Sequence, residues 1–205
     1  MISYVNKLGT VRVGSSSPVR IMGILNTSPE SFYKKSISIG REKIIDAVSK
    51  MEGEGADFID VGGMSTAPYL STLVSEKTER DRVVKAIKII QDTTNLPISV
   101  DTCRSIVAKE ALELGVEIIN DVTGLKYDPS MPTIIERYCP SLILCAYNKK
   151  PISGNQIQVT KQLLKKSLDI AKSVKIPNSK IVLDPAIGFF RKKGKNSFFT
   201  KINSD

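Results

Sequence analysis

A chain of 205 residues, 41% hydrophobic and 25% charged, can bury one substantial core and is expected to form a single domain over 1–205. It contains no histidine, which excludes every mechanism needing imidazole as nucleophile partner, general base or zinc ligand and leaves carboxylates, amides, lysines or a hard metal. The net charge of +9 suits a phosphorylated small substrate as well as a merely basic surface, and without a nucleic-acid module or basic-aromatic interleaving no nucleic-acid partner is expected.

In chain order, the opening MISYVNKLGT lacks the basic-then-apolar pattern of a signal peptide, and no window approaches the roughly 18 apolar residues of a membrane span. No membrane partner and a cytoplasmic location are therefore expected. Short Val- and Ile-rich runs then alternate with amphipathic segments. The runs predict strands at Val19 to Leu25, Asp57 to Val61, Ile98 to Asp101, Glu117 to Asn120, Leu142 to Cys145 and Ile181 to Asp184.

Between them, Ile44, Val48 and Met51, then Val83, Ile87 and Ile90, then Val107, Ala111 and Leu114 recur at helical spacing, so each helix offers one face to a sheet. Asp128 and Pro129 predict the N-cap and first turn of a fourth helix, and Lys161 to Val174 carries Leu164, Leu168 and Ala171 on one stripe. Repeated β-α units without a reversal signal fit an α/β fold of the (β/α)8 TIM-barrel class better than a doubly wound sheet, two folds that periodicity alone does not separate, with about six units present and an apparent truncation at the C-terminus after the basic stretch Arg191 to Lys195. Cys103, Cys139 and Cys145 are odd in number and lack C-x-x-C spacing, which predicts reduced, partly buried thiols.

Polar residues collect where such a barrel keeps its chemistry, at the carboxyl ends of strands. Asn26 ends the first predicted strand, Asp60 lies in the second beside Gly62 and Gly63, Asp101 ends the third, Asn120 and Asp121 the fourth, and Asp184 the sixth. Any one of them could simply cap a helix or make an Asx turn. Their recurrence points to a shared rim, and carboxylates with an amide can bracket a flat heterocycle bearing N–H donors and ring nitrogens.

The segments Met22-Gly-Ile-Leu-Asn-Thr-Ser-Pro-Glu-Ser-Phe32, Gly55-Ala-Asp-Phe-Ile-Asp-Val-Gly-Gly-Met-Ser-Thr66, Pro97-Ile-Ser-Val-Asp-Thr102, Ile118-Ile-Asn-Asp-Val-Thr-Gly124 and Val182-Leu-Asp-Pro-Ala-Ile-Gly-Phe189 follow in order along the chain. In them the sequence resembles the pterin-binding family, and within it the dihydropteroate synthases, over nearly its whole length. The resemblance implies a transferase of folate biosynthesis that joins hydroxymethyl-dihydropterin diphosphate to an arylamine such as p-aminobenzoate, releases diphosphate and uses Mg²⁺. It further implies that Asp101, Asn120 and Asp184 bracket the pterin, with Asp101 and Asp184 as the catalytic carboxylates, and that Val122 and Cys145 line its pocket. By the same resemblance Asn26 would help to hold magnesium and diphosphate, Ser65 and Thr66 would lie in the diphosphate and acceptor loops, and the protein would be a homodimer.

The chain departs from the family pattern in its loops. Tyr33-Lys34-Lys35-Ser36 stands where the family carries an acidic residue and two glycines, Met64 and Ala67 stand where it carries an acidic residue and an arginine, and Cys145-Ala-Tyr-Asn-Lys-Lys-Pro151 lacks its usual histidine. Lys34 is either a replacement for the missing arginine or a solvated lysine. These loops resemble those of archaeal relatives, and they suit a phosphorylated acceptor such as a ribosylated aminobenzene phosphate. The competing readings are a non-catalytic pterin-binding domain and a corrinoid-type methyltetrahydrofolate methyltransferase.

Overall fold

The computed structural model describes residues 6–14, 17–28, 40–64, 74–148 and 155–187. A short antiparallel hairpin, β1 (Asn6–Leu8) and β2 (Val11–Val13), precedes the main sheet. There follow β3 (Met22–Asn26), α1 (Arg41–Gly53), β4 (Phe58–Gly62), α2 (Glu76–Thr93), β5 (Ile98–Asp101), α3 (Ser105–Glu113), β6 (Ile118–Asp121), α4 (Met131–Tyr138), β7 (Ser141–Cys145), α5 (Gln156–Ser173) and β8 (Ile181–Asp184). The main sheet has six parallel strands in the order β3-β4-β5-β6-β7-β8. Strands adjacent in the chain are thus adjacent in the sheet. A doubly wound sheet reverses its order at a switch point, so the uninterrupted order is that of a singly wound barrel, with no partner for the outer edges of β3 and β8 among the described residues.

The pleat sorts side chains between the two faces of this sheet. Leu25, Ile59, Val61, Val100, Ile119, Leu142 and Leu144 meet the helices, whose Val48, Val83, Ile87, Ile90, Ala111 and Ile135 complete one buried core. Burial of each large side chain there contributes about 1.5–3 kcal/mol. The opposite face is floored at its amino end by a second cluster, in which Leu8 of the hairpin packs with Phe58 and Ile118, and Val11, Val13, Met22, Ile143 and Val182 lie around them. Gly9 N donates to Ser141 Oγ at 3.0 Å, which pins the hairpin turn to β7.

Three expectations change. Val19 lies outside any strand and is 92% exposed; β3 starts at Met22, where its β4 partner Phe58 starts. Just before that pairing Asp57 accepts from Ile21 N and from Arg20 Nη1, both at 2.8 Å. Asp128 does not cap α4, whose N-cap is Ser130; its carboxylate accepts instead from Ser130 N at 2.8 Å and from Ser105 N at 2.7 Å, so it caps α3 from a distant loop. The fifth helix begins at Gln156, because Asn155 Oδ1 accepts from Gln158 N at 3.1 Å and caps it. The three cysteines are free, with Cys103 and Cys145 buried.

Candidate functional site

Register decides which strand-end residues meet. Asn26 pairs with Gly62, Gly62 with Asp101, and Asp101 with Asn120, so these positions form one row on the face opposite the helices. Asn120 pairs with Ile143, and one pleat further on Cys145 pairs with Asp184, on that same face. Gly62 keeps the row open: a side-chain carbon there would lie 3.4 Å from Asn26 Oδ1 and 3.8 Å from Asp101 Oδ2. Asn26, Asp101, Asn120, Cys145 and Asp184 are therefore brought together at the carboxyl end of the sheet.

Asp60 lies one pleat below this row and is 6% exposed; its Oδ2 accepts from Asn120 Nδ2 at 3.0 Å, across the intervening strand β5. The bond fixes the orientation of the amide through its nitrogen and leaves its carbonyl oxygen outside that bond. Burial pushes the Asp60 carboxyl above the ordinary range, opposed by the side chains of Ser99 and Asn120. Sequence reasoning noted Asp60 without placing it in the site. Its signal was a carboxylate inside an otherwise apolar strand.

Asp121 goes the other way. The next residue after Asn120 faces the helices, is 1% exposed, and accepts from Thr123 N and Thr123 Oγ1 at 2.7 Å and from Leu125 N at 2.8 Å. It builds the turn after β6, and burial raises its pKa against those bonds.

At the far side of the row, Asp184 Oδ1 accepts from Ala186 N at 2.7 Å and its carbonyl accepts from Ala146 N at 2.9 Å. The Cys145 thiol is pushed up first by burial and then by the charge of, and its hydrogen bond to, Asp184, so it stays a protonated wall residue. Val122 packs with Cys145, Ala146, Leu163 and Ala186 in one small apolar cluster beside Tyr147, at the Asp184 end of the row. Behind this wall Lys126 Nζ donates to Ser167 Oγ at 2.6 Å, and burial lowers its pKa, opposed by Asp121 and Cys145.

Ser65, Thr66, Lys34 and Lys35 lie outside the described residues. Met64, immediately before the first two, is buried. At the first loop, Thr27 N and Thr27 Oγ1 both donate to Gly62 O, at 2.9 and 3.0 Å, and hold the chain just after Asn26. Among the described residues no three His, Cys, Asp or Glu side chains converge as a metal site, and no helix is long and apolar enough to cross a membrane. The oxygen donors that do stand together, Asn26 and Asp101, suit a hard cation that keeps its waters and binds chiefly through substrate phosphates.

A model of the pterin binding enzyme family matches residues 22–201. The dihydropteroate synthase of Clostridium beijerinckii is 36% identical over 183 residues, covering 89% of this chain and 68% of the relative. That of Synechocystis is 32% identical over 183 residues, covering 86% and 63%. A crystal structure of dihydropteroate synthase from Clostridium difficile in the presence of pteroic acid superposes with a TM-score of 0.74 at 36% identity, covering 84% of this chain and 66% of that one. The chain thus spans about two thirds of the length of the relatives it matches. The sheet order, the carboxyl-end row and these matches agree, and the chain belongs to the pterin binding enzyme family, among its dihydropteroate synthases.

Proposed function

We propose that this protein is a cytoplasmic dihydropteroate synthase that condenses hydroxymethyl-dihydropterin diphosphate with p-aminobenzoate or a related arylamine. The observation that carries the reading is the row of Asn26, Asp101 and Asn120 with Asp184 one pleat beyond, on one face at the carboxyl end of the sheet. Supporting it are the relatives and the neighbouring structure in the presence of pteroic acid. Asp101, Asn120 and Asp184 bracket the pterin by hydrogen bonds to its ring edge, while Val122 and Cys145 exclude water from one side.

The carbon–oxygen bond of the pterin methylene breaks with its electron pair leaving on the diphosphate. Asp101 and Asp184 then face a methylene that has gained positive charge, and their fixed carboxylates favour it without reorganisation. The arylamine nitrogen forms the new carbon–nitrogen bond and gives up a proton to solvent. Asn26, with the substrate's diphosphate, would hold a magnesium ion whose charge neutralises the leaving group. Ser65 and Thr66 serve the diphosphate and acceptor side. The single domain assembles as a homodimer.

Isothermal titration with a pterin diphosphate analogue, with and without Mg²⁺, tests this reading beside Asp184→Asn. Magnesium-dependent binding that the variant weakens at least tenfold is expected, since the substitution removes a charged hydrogen-bond partner. Absence of binding by the folded chain overturns the reading. Binding of the analogue with no diphosphate released when the pterin diphosphate itself is supplied with p-aminobenzoate marks a non-catalytic pterin-binding domain.

A further inference from the structure

Outside the row of polar strand ends lies a second polar cluster, fully buried, that the reaction does not use. Thr102, the residue after Asp101, donates from Oγ1 to Glu79 Oε1 at 2.6 Å, and Arg104 Nη1 donates to Glu79 Oε2 at 2.7 Å. Arg104 Nη2 donates to Val74 O at 2.9 Å, and Arg104 N donates to Thr102 Oγ1 at 3.2 Å. Glu79 and Thr102 are 0% exposed and Arg104 7%. Burial pushes the Glu79 carboxyl up, opposed by Thr102 and Arg104. A buried ion pair contributes little net stability compared with well-packed apolar side chains, because desolvation of both charges offsets their attraction. It does fix geometry.

We infer that Glu79, Arg104 and Thr102 are positioning residues that set Asp101 and Asn120 for ligand binding, an inference that rests on the reading of the site given above. Two connections carry it. Thr102 N donates to Asn120 O at 3.1 Å while its hydroxyl is bound to Glu79, so one residue links the β5 and β6 ends of the row to the ion pair. On the β4 side, Gly63 lies so close to α2 that an added Cβ would come within 2.7 Å of Glu79 O and 2.8 Å of Val83 Cγ2, and Arg82 Nη1 donates to Gly63 O at 3.2 Å. The first turn of α2 is thereby held against the exits of both β4 and β5, and Glu79 is the group it presents to each.

The test uses Thr102→Val, which keeps the volume and removes the hydroxyl, Thr102→Ser, which restores it, and Glu79→Gln in the full chain. The pterin diphosphate analogue is expected to bind about tenfold more weakly to Thr102→Val and Glu79→Gln, with recovery in Thr102→Ser, as small misplacements of site groups do. The side-chain amide resonances of Asn120, which donates to Asp60, are expected to shift in Thr102→Val and to return in Thr102→Ser. A lower melting temperature with affinity and Asn120 amide resonances both unchanged would overturn the inference and leave the cluster purely structural. If the unsubstituted chain binds no pterin, the function proposed above fails, and the Asn120 amide resonances alone decide the positioning role.

Discussion

Asp60 and Asn120 show how one side-chain bond ties a buried carboxyl to the row of strand ends. Asn120→Ala would leave the Asp60 carboxyl inside the barrel without its amide donor, and a loss of about 1–3 kcal/mol in urea unfolding is expected from stranding that group. The fold raises the Asp60 pKa above 3.8, so the folded state keeps this proton longer than the unfolded chain does. The carboxyl's favourable contribution is therefore present below 3.8 and is lost as pH rises through the folded value. Asp60→Asn should gain stability relative to the parent between about pH 4 and about pH 7, measured by denaturation at both, and an unchanged difference would show that burial does not perturb the group. Gly124 has φ 61°, and a Cβ there would meet Ser167 Oγ and lie 2.8 Å from Cys145 O, on the carboxyl side of the row. Gly124→Ala is expected to cost about 1–3 kcal/mol by overpacking and left-handed strain together.

Whole elements are held by contacts that their own sequence does not announce. The hairpin β1–β2 is three residues per strand and too short to fold alone, yet Leu8 is 4% exposed because Phe58 and Ile118 receive it. Leu8→Ala should lower unfolding free energy by about 3 kcal/mol, and a loss under about 1 kcal/mol would show that the floor of the sheet closes without it. Helix α3 takes its N-terminal acceptor from Asp128, so Asp128→Ala is expected to cost about 1 kcal/mol and to fray α3 before α4 in hydrogen exchange. Strand limits were readable where an apolar run ends in a carboxylate: β5 and β8 have the predicted bounds Ile98–Asp101 and Ile181–Asp184. The hairpin was not readable, because Asn6, Lys7 and Arg12 interrupt its few apolar residues.

Across the whole molecule a net charge of +9 makes like-charge repulsion a general term against compactness. The surface ion pairs, such as Lys165–Asp169 and Lys77–Asp81, are exposed and contribute little each. Raising salt from about 20 mM to about 500 mM is therefore expected to raise the melting temperature by a few degrees, whereas a decrease would mean that the ion pairs outweigh the net charge. The succession of β-α units was legible from amphipathic periodicity, since each unit buries its own faces by local pattern, but a barrel was told from a doubly wound sheet only by the uninterrupted strand order. The polar strand ends Asn26, Asp101, Asn120 and Asp184 were legible too, because a carboxylate or amide closing an apolar run stands out in one dimension. Which of those ends share a face required the register: Asn120 and Asp121 are neighbours in the chain, and the pleat puts one in the row and the other in a turn. Only the tertiary structure also decided that Asp60 reaches Asn120 and that Glu79 meets Arg104, for these partners are 60 and 25 residues apart and no local periodicity records which strands and helices will lie side by side.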